Sequence, residues 1–534
     1  MVALLACLLL ALPAWAQPPA HCATPYLKSL PLPRPLPPAA KAVQAPAQIG
    51  VGTSLVFYSS FDFRLVPATC RFLGEHSYIF VEDGQWAAEG GGVTQGDVDS
   101  LGVLFEDHSP ADPDRGIYAL ETEAFGEPPD VDGDPRVFIL LLDIPGESYV
   151  GYFDSGVATI ELPEFRRDML FLDTVFLTGQ PYLARGTLAH EFQHLIHWGK
   201  DDDEDTWVDE GLSGYAEEVA GYPEADADAA PAFLRTPGVG LLWPGSTIDA
   251  QAYNYGGTYL FLSYLAQRQG KDFIRQLVAQ PGNGTFGVDE TYKSQGLGGD
   301  FLEAWGGWVV GNYATADPRY GYAALKGRRA RTTALRDLPI EEIEGQVSGR
   351  WGAQYVSFPV AGNIEIELGT GGSFQAWVCA WQGGRSAVQE VGLDAEGRGT
   401  LAAEGVDSLT VIVGRTAAQR RSFLISAGFF IPTLVEGQEP LPAPLQLGAA
   451  YPNPFNRAAQ IPFVMSQAGQ VQLAVYNSLG QRMQLLQAGQ FLAGAHQVAW
   501  DGRDEQGVPA GSGTYTVVLQ AGQVRLSRRL SLIK

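Results

Sequence analysis

The chain has 534 residues, of which 46% are hydrophobic and 11% aromatic, and this is enough apolar material for roughly three or four domains. Composition therefore excludes disordered and fibrous proteins. The 35 basic and 60 acidic residues give a net charge of −25, which argues against nucleic-acid binding and against attachment to an anionic membrane by charge. The low charged fraction of 18%, with 64 Gly and 35 Pro, is typical of proteins rich in short strands and turns.

The N-terminal residues have the pattern of an exported protein. Residues 2–12 form an apolar run, and Ala14 and Ala16 follow it as an A-x-A cleavage site, which predicts a signal peptide over residues 1–16. No Lys or Arg precedes the run, and a buried apolar arm is the alternative interpretation. Residues 17–50 are rich in Pro and Ala and are predicted to be a linker or a pro-segment. No later run reaches the roughly 18 apolar residues of a membrane helix, so no transmembrane segment is expected in the mature chain.

The cysteines are too few for a disulfide scaffold. Cys7 lies in the predicted signal peptide, and Cys22, Cys70 and Cys379 remain. A bridge between Cys22 and Cys70 is one possibility, and three unpaired thiols are the other.

Residues 51–333 are predicted to form an α+β domain, because strand patterns and helix patterns alternate there. Thr94 and Asp97 form a capping signal at the start of the first predicted helix. The predicted strands are 78–81 and 137–142, and the predicted helices are 97–105, 183–198, 259–267 and 301–310.

Two all-β domains are predicted to follow. Between residues 334 and 431 helical periodicity is lost and short β-rich runs recur between Gly-rich turns, which predicts an antiparallel β-sandwich. Residues 432–443 are Pro-rich and are predicted to be a linker. Residues 444–534 again alternate in short strands, as in an Ig-like sandwich.

The segment with the clearest chemistry is H-E-x-x-H, formed by His190, Glu191 and His194 within a predicted helix. Two histidines at positions i and i+4 share one face of a helix, where both can bind one zinc ion. A catalytic zinc needs a third protein ligand, and Glu210 is the choice in the segment that follows. Glu191 is placed to act as the general base towards a zinc-activated water.

The segments LAHEFQH (188–194) and WVDEGLSGY (207–215) resemble the gluzincin metallopeptidases, most nearly the hyicolysin type. The resemblance implies a zincin-like domain in which Glu210 is the third zinc ligand, with Asp209 as the other candidate. A metzincin would have Gly and His where this chain has His197 and Lys200, so that branch is disfavoured. His197 is expected to support the site rather than bind the metal.

Two further parts of the catalytic site are predicted with alternatives. The resemblance implies a Tyr or His that meets the transition-state oxyanion, and Tyr255 is preferred over Tyr253 for this role. The alternative is that both tyrosines belong to the core. Glu217, close to two turns beyond Glu210, either orients a zinc ligand or is a solvated acid.

Two acidic segments are candidate calcium sites. Asp130, Asp132 and Asp134 alternate around a glycine as in calcium loops, although the other ligands of an EF-hand are missing and a turn before a strand is the alternative. Residues 201–205 (DDDED) are interpreted as a solvated loop, with calcium binding or the selection of basic substrates as alternatives.

The last ninety residues resemble the C-terminal sorting domain of the type IX secretion system, whose fold is similar to the Ig-like part of flagellar hook-capping proteins. The similarity lies in YPNPFN (451–456), VYNSLGQ (475–481), GAH (494–496), WDG (500–502) and SGTY (512–515). It implies export through the periplasm, the secretion machinery as a partner, and release or attachment at the outer-membrane cell surface. An Ig-like domain that adheres to polysaccharide or protein is the alternative.

Together these features predict a secreted or cell-surface zinc endopeptidase with protein or peptide substrates, a zinc cofactor and a possible calcium ion. Two other functions stay open. One is a surface adhesin or binding protein with an inactive zincin domain, and the other is a zinc hydrolase that acts on a non-peptide substrate.

Overall fold

The structure is a computed structural model, and it describes most residues of the chain. These are residues 21–30, 48–146, 149–223, 228–241, 252–335, 338–418, 422–429, 445–448, 450–465, 467–477, 481–522 and 524–534. The predicted signal peptide 1–16 and the predicted linker 432–443 lie outside them, as does most of the segment 17–50. The described chain is multidomain and contains helices together with several β-sheets, as expected.

The first domain is built on a seven-stranded mixed sheet with the order β1-β6-β7-β5-β4-β3-β2. β4, β5 and β7 run parallel, β6 is antiparallel to β7, and β1 pairs with β6 in parallel. Alternate residues of β5 belong to two hydrophobic cores, so both faces of the sheet are covered. The strands are β1 (His21–Cys22), β2 (Ser54–Ser59), β3 (Arg64–Leu73), β4 (Ser77–Glu82), β5 (Val137–Leu142), β6 (Tyr149–Phe153) and β7 (Met169–Asp173).

Helices pack on this sheet and on one another. The predicted capping box is confirmed, because Thr94 and Asp97 exchange hydrogen bonds at the start of α2. α6 lies between the sheet and α7, and its residues from Gly186 to His197 are buried. Among the described residues no helix is both long and apolar enough to cross a membrane. The helices are α1 (Thr24–Lys28), α2 (Gln95–Glu106), α3 (Ile117–Phe125), α4 (Ser155–Ala158), α5 (Thr174–Gly179), α6 (Pro181–Trp198), α7 (Thr206–Val219), α8 (Ala229–Arg235), α9 (Ala252–Gln269), α10 (Lys271–Val278), α11 (Gly284–Ser294) and α12 (Phe301–Gly311).

The second domain is a sandwich of two sheets, ordered β13-β12-β15-β10-β8 and β14-β11-β16-β9. It packs on α12 through Trp305, whose indole N–H donates to the carbonyl of Trp351 at 2.9 Å. The strands are β8 (Thr333–Ala334), β9 (Ile340–Gln346), β10 (Ala353–Phe358), β11 (Gly362–Gly369), β12 (Phe374–Gln382), β13 (Arg385–Glu390), β14 (Arg398–Val406), β15 (Ser408–Arg415) and β16 (Ser422–Phe429).

The C-terminal domain contains two antiparallel sheets, ordered β17-β18-β21 and β20-β19-β22-β23, around a core that includes Trp500. It is an Ig-like β domain. The strands are β17 (Leu445–Leu447), β18 (Ala459–Met465), β19 (Gly469–Tyr476), β20 (Arg482–Phe491), β21 (Gly494–Trp500), β22 (Gly513–Ala521) and β23 (Val524–Leu532).

The disulfide considered between Cys22 and Cys70 is wrong, because Cys22, Cys70 and Cys379 are all free and buried. Cys22 lies on β1 at one edge of the first sheet, and Cys70 lies on β3 near the other edge. Five strand spacings separate these two strands, which is about 24 Å, whereas a disulfide needs Cα atoms within about 7 Å.

Candidate metal centre

The four residues predicted to form the catalytic centre come together between α6 and α7. His190, Glu191 and His194 lie on α6, and Glu210 lies on α7. All four side chains are buried. Gly211 allows α7 to approach α9 closely, because a Cβ atom there would lie 2.7 Å from a methyl group of Leu262. This close packing fixes the position of Glu210 above α6.

The distances among these side chains fit one tetrahedral metal ion. His190 Nε2 lies 3.3 Å from Glu210 Oε2, and His194 Nε2 lies 3.3 Å from Glu210 Oε1. Ligands placed 2.0–2.1 Å from a tetrahedral zinc are about 3.3–3.4 Å from one another. Glu210 Oε1 is buried and lacks a hydrogen-bond partner of good geometry within the described structure, as expected for a metal ligand. The donor set therefore fits zinc.

The two histidines are oriented by hydrogen bonds from their other ring nitrogens. His190 Nδ1 lies 2.9 Å from Glu217 Oε1. His194 Nδ1 lies 3.1 Å from Ser213 Oγ and 3.2 Å from Asp209 Oδ1. Because these partners hold Nδ1 of each ring, Nε2 is the nitrogen that faces Glu210. The structure thus places Glu217 beside the candidate ligand His190, where it can orient that ring. Asp209 contacts Nδ1 of His194, whereas Glu210 lies beside the Nε2 atoms of both rings.

The charges of the cluster shift several pKa values. Burial favours the neutral form of His194, but the nearby Asp209 and Glu210 outweigh it and hold the pKa of His194 well above its ordinary value. Burial raises the pKa of Glu210, yet His194 and His190 outweigh this effect and lower it. Glu210 is therefore an anion at neutral pH and retains the charge that a metal ligand needs.

Glu191 borders the ligand cluster without belonging to it. Its Oε2 accepts hydrogen bonds from Thr24 Oγ1 at 3.0 Å and from the Cys22 thiol at 3.4 Å, whereas its buried Oε1 has no partner in the described part of the chain. Burial raises the pKa of Glu191. A carboxyl group with a raised pKa and one free oxygen is suited to exchange a proton near neutral pH.

The structure places the Tyr255 hydroxyl at the same site, 3.5 Å from the carbonyl oxygen of Cys22. Burial, together with the negative charge of Glu210, raises its pKa well above the ordinary value, so the phenol stays neutral and can donate a hydrogen bond. Tyr253, the other candidate, packs against the hydrophobic core.

The site also contains N-terminal residues that the sequence patterns did not predict. Cys22, Thr24 and Lys28 lie on β1 and α1, and Lys28 forms an ion pair with Asp209. The available signal was local: the segment 21–30 contains a cysteine, a tyrosine and two leucines within a region otherwise rich in Pro and Ala. Such a composition indicates burial rather than a linker.

The predicted calcium loop is only partly brought together. Asp130 and Asp132 lie near Asp168, which sequence analysis did not select, with ligand-capable oxygens within 4.8 Å of one another. Asp134 instead accepts a hydrogen bond from Tyr78 and approaches Arg136. Calcium binding at this loop stays a prediction.

The acidic segment 201–205 differs from a uniformly solvated loop, because Asp201 and Glu204 are buried. Both lie beside His197, with ligand-capable atoms of the three residues within 4.8 Å of one another. Burial raises the pKa of Glu204 to about 8, and the charges of Asp201 and Asp209 add to the shift. Asp202 and Asp203 are exposed, as expected of the loop.

Comparison with known proteins agrees with two parts of this description. Residues 458–523 match the FlgD Ig-like domain. In an alignment of 242 residues that covers 40% of this chain, the sequence is 25% identical to the neutral metalloprotease ShpI of Staphylococcus hyicus. The chain spans about half the length of that curated relative (51%). The chain is thus a distant relative of a metalloprotease and carries an Ig-like domain near its C-terminus.

Solved structures give weaker likenesses. PorZ, a surface component of the type IX secretion system of Porphyromonas gingivalis, is 21% identical over 16% of this chain and 11% of its own, with a TM-score of 0.13. The pre-peptidase C-terminal domain of Bacillus anthracis collagenase is 17% identical over 19% of this chain and 99% of its own, with a TM-score of 0.15. Similarities of this size carry no argument about fold or function.

Proposed function

We propose that the protein is a secreted or cell-surface zinc endopeptidase. The observation that carries the proposal is the convergence of His190 Nε2 and His194 Nε2 on the two oxygens of Glu210, beside the free oxygen of Glu191. A purely structural zinc site needs no such adjacent base. The distant metalloprotease relative supports the same assignment.

In this proposal His190, His194 and Glu210 would hold zinc, which when bound would polarise the substrate carbonyl and lower the pKa of a water molecule. Glu191 offers Oε1, which is positioned to accept a proton from the attacking water and to return it to the leaving amine. Tyr255, neutral at physiological pH, donates its hydroxyl proton in a hydrogen bond to the oxyanion of the tetrahedral transition state. Glu217 and Asp209 hold the histidine rings in place.

A peptide is the favoured substrate class because an extended segment of polypeptide already lies beside the candidate site. β1 pairs with β6 at the edge of the sheet, and Ala23 N–H donates to the Gly151 carbonyl at 3.0 Å. An edge strand that accepts an extended chain gives affinity through main-chain hydrogen bonds, independent of the side chains. This observation favours a peptidase over a hydrolase of small non-peptide substrates.

The test compares Glu191→Gln with wild type and with Glu290→Gln, which removes a partly exposed acid on α11 as a matched control. All are made as full chains, each with and without Cys22→Ala so that occupancy of the cleft cannot hide activity. We expect Glu191→Gln to retain wild-type zinc content and to lose roughly 10²–10⁴-fold in casein hydrolysis, since only the proton acceptor is removed.

Two results would contradict the proposal. If Glu191→Gln cleaves casein as fast as wild type, the assignment of the base is wrong. If folded, zinc-loaded chains cleave no peptide even with Cys22→Ala, a non-peptide hydrolase or an adhesin with an inactive zincin domain is the better interpretation.

We further propose that the C-terminal Ig-like domain directs export by type IX secretion. The support is the FlgD-type match together with the ordered segments that resemble sorting domains. The test expresses the full chain in a bacterium with this system and in the same strain without it. Surface or medium localisation should require the system, and equal export from both strains would refute the assignment.

A further inference from the structure

A second cluster of buried ligand-type side chains lies between α6 and α11, and it is separate from the catalytic set. His197 lies on the last turn of α6, and Asp201 and Glu204 lie in the loop before α7. Their ligand-capable atoms all lie within 4.8 Å of one another. The exposed fractions are 1% for His197, 9% for Asp201 and 6% for Glu204, so all three are withdrawn from solvent.

Each of these side chains uses one polar atom in the fold and leaves another without a partner. His197 Nδ1 lies 3.0 Å from Asp209 Oδ1, which leaves Nε2. Glu204 Oε1 accepts the backbone N–H groups of Asp205 and Gly284, which leaves Oε2. Asp201 Oδ1 accepts the N–H of Asp203 at 3.4 Å, which leaves Oδ2. Within the described chain, these three remaining atoms have no hydrogen-bond partner.

Such an arrangement is unfavourable without a cation. A buried polar atom without a partner costs about 1–3 kcal/mol, and this cluster holds three such atoms. The carboxylate–histidine pair formed by Asp209 and His197 is the arrangement that orients imidazole ligands in metal sites. One nitrogen and two carboxylate oxygens suit zinc, whereas calcium prefers oxygen ligands throughout.

We propose that His197, Asp201 and Glu204 bind a second divalent metal ion, zinc by the chemistry of its ligands. The ion would connect the end of α6 to the loop that leads into α7, and so would fix the two helices that carry the catalytic ligands. It is a structural site, and the proposal does not depend on the peptidase function.

The test is calorimetric titration of the metal-free full chain with Zn²⁺. We expect two equivalents for wild type and for Asp202→Asn, which changes an exposed acid in the same loop. Glu204→Gln and, separately, His190→Gln should each bind one equivalent, because each removes a different site. Circular dichroism checks that the variants fold.

The proposal is overturned if wild type binds a single zinc, or if Glu204→Gln and Asp201→Asn both still bind two. If Ca²⁺ competes for the second equivalent, the assignment of His197 as a nitrogen ligand of this site is wrong, because calcium prefers oxygen ligands. Should the variants fail to fold, anomalous diffraction from zinc-loaded wild type still decides, since the second peak either lies among these three side chains or does not.

A different observation carries a second inference, which rests on the proposed zinc site. Cys22 Sγ lies among the ligand atoms of His190, His194 and Glu210, all within 4.8 Å of one another. It lies 3.6 Å from His194 Nε2. On a tetrahedral zinc, a thiolate at about 2.3 Å and an imidazole at about 2.05 Å are about 3.55 Å apart.

The rest of the segment 21–30, here called the N-terminal strap, is tied to the catalytic residues. Thr24 Oγ1 donates to Glu191 Oε2, the carboxylate proposed as general base. Lys28 pairs with Asp209, and the Cys22 carbonyl lies within reach of the Tyr255 hydroxyl. The strap therefore contacts the ligand set, the base and the oxyanion donor together.

We propose that the Cys22 thiolate is the fourth zinc ligand in the full chain and keeps the enzyme latent. Its sulfur takes the coordination position that a catalytic water needs, and the strap fills the cleft. Activation then requires withdrawal of the strap, by proteolysis or by modification of the thiol. No covalent bond of the chain would change in the reversible step: the Cys22 thiolate would leave and take up a proton from solvent, and a water molecule would replace its sulfur beside His190, His194 and Glu210.

The test replaces zinc by Co²⁺ in the full chain. Wild type and the control Cys379→Ala should show the near-ultraviolet charge-transfer band of a thiolate on cobalt, and Cys22→Ala should lack it. Casein hydrolysis by zinc-loaded Cys22→Ala should rise by roughly tenfold or more, and a tenfold rise corresponds to about one-tenth of the wild-type molecules being competent.

The outcomes separate this inference from the proposed function. If Co²⁺ binds but gives no thiolate band, and iodoacetamide alkylates Cys22 equally fast with and without metal, the latency proposal is wrong and the metal site stands. If no metal binds to the residues His190, His194 and Glu210 in any variant, the zinc peptidase proposal itself is wrong.

Discussion

The hydrogen bond between His190 and Glu217 gives a quantitative test of the metal centre. His190 Nδ1 lies 2.9 Å from Glu217 Oε1, and the side-chain exposures are 6% and 15%. Partners that orient a ligand in this way are worth roughly 10–100-fold in metal affinity, or about 1.4–2.7 kcal/mol. Because Glu217 keeps some contact with water, replacement by Gln, which retains an acceptor oxygen, should cost about tenfold. Ala leaves the N–H group without a partner and should cost nearer a hundredfold.

The assay is competition for zinc between the full chain and a chelator of known affinity, followed by hydrolysis at saturating zinc. Glu290→Gln is the control for the loss of one negative charge. Both Glu217 variants should recover most of their activity when zinc is saturating, because the bond orients a ligand and does not touch the substrate. If Glu217→Ala binds zinc with wild-type affinity, Glu217 does not orient the His190 ring as a zinc ligand.

Three further predictions use other parts of the molecule. Burial raises the pKa of Asp168 to about 7, so between about pH 4 and about pH 7 the folded chain keeps a proton that the unfolded chain has released. The free energy of unfolding should therefore fall with rising pH in this range, by up to about 1.4 kcal/mol per pH unit. In calcium-free denaturant titrations between pH 4 and pH 8, Asp168→Asn should give a flatter profile than wild type, and parallel profiles would contradict the raised pKa. Trp305 of α12 is fully buried against the β-sandwich. Trp305→Ala should lower the free energy of unfolding by about 3–5 kcal/mol in guanidinium titrations. A loss below about 1 kcal/mol would show that this contact is not tightly packed. Tyr255→Phe should lower kcat by roughly 10²–10³-fold with little change in KM or zinc content, and an unchanged kcat would remove Tyr255 from the oxyanion role.

The sequence predicted those helices and strands whose position depends only on neighbouring residues. The apolar run 137–142 coincides with β5, and the Thr94 and Asp97 signal coincides with the capping box of α2. α9 is different: the helical periodicity in the sequence covers only residues 259–267, whereas the structure describes helix over Ala252–Gln269. The reason is Gly256, where a Cβ would lie 2.0 Å from the Ala229 carbonyl oxygen, so packing against α8 requires a residue that weakens the helical pattern.

The candidate site likewise contains residues that local spacing predicts and residues that only the tertiary fold brings together. The i and i+4 spacing alone placed His190 and His194 on one face. For the third ligand the sequence left Asp209 open beside Glu210, because the choice between these neighbours depends on how α7 packs. Cys22 is 172 residues from His194 in sequence, and no local rule connects positions so distant. Asp168 was missed for the same reason, since it reaches Asp130 and Asp132 only through the order of the strands.

Asp209 links the two proposed metal sites and the N-terminal strap. Its Oδ1 contacts the Nδ1 atoms of both His194 and His197, and its Oδ2 pairs with Lys28. Burial alone would raise its pKa, but Lys28 and the two histidines outweigh burial and hold the pKa well below the ordinary value, so Asp209 stays charged. When the strap leaves, Lys28 leaves with it, and the whole negative charge acts on the two imidazoles and strengthens them as ligands. Withdrawal of the strap thus removes the sulfur ligand while it strengthens the nitrogen ligands, and an opened site can retain its metal.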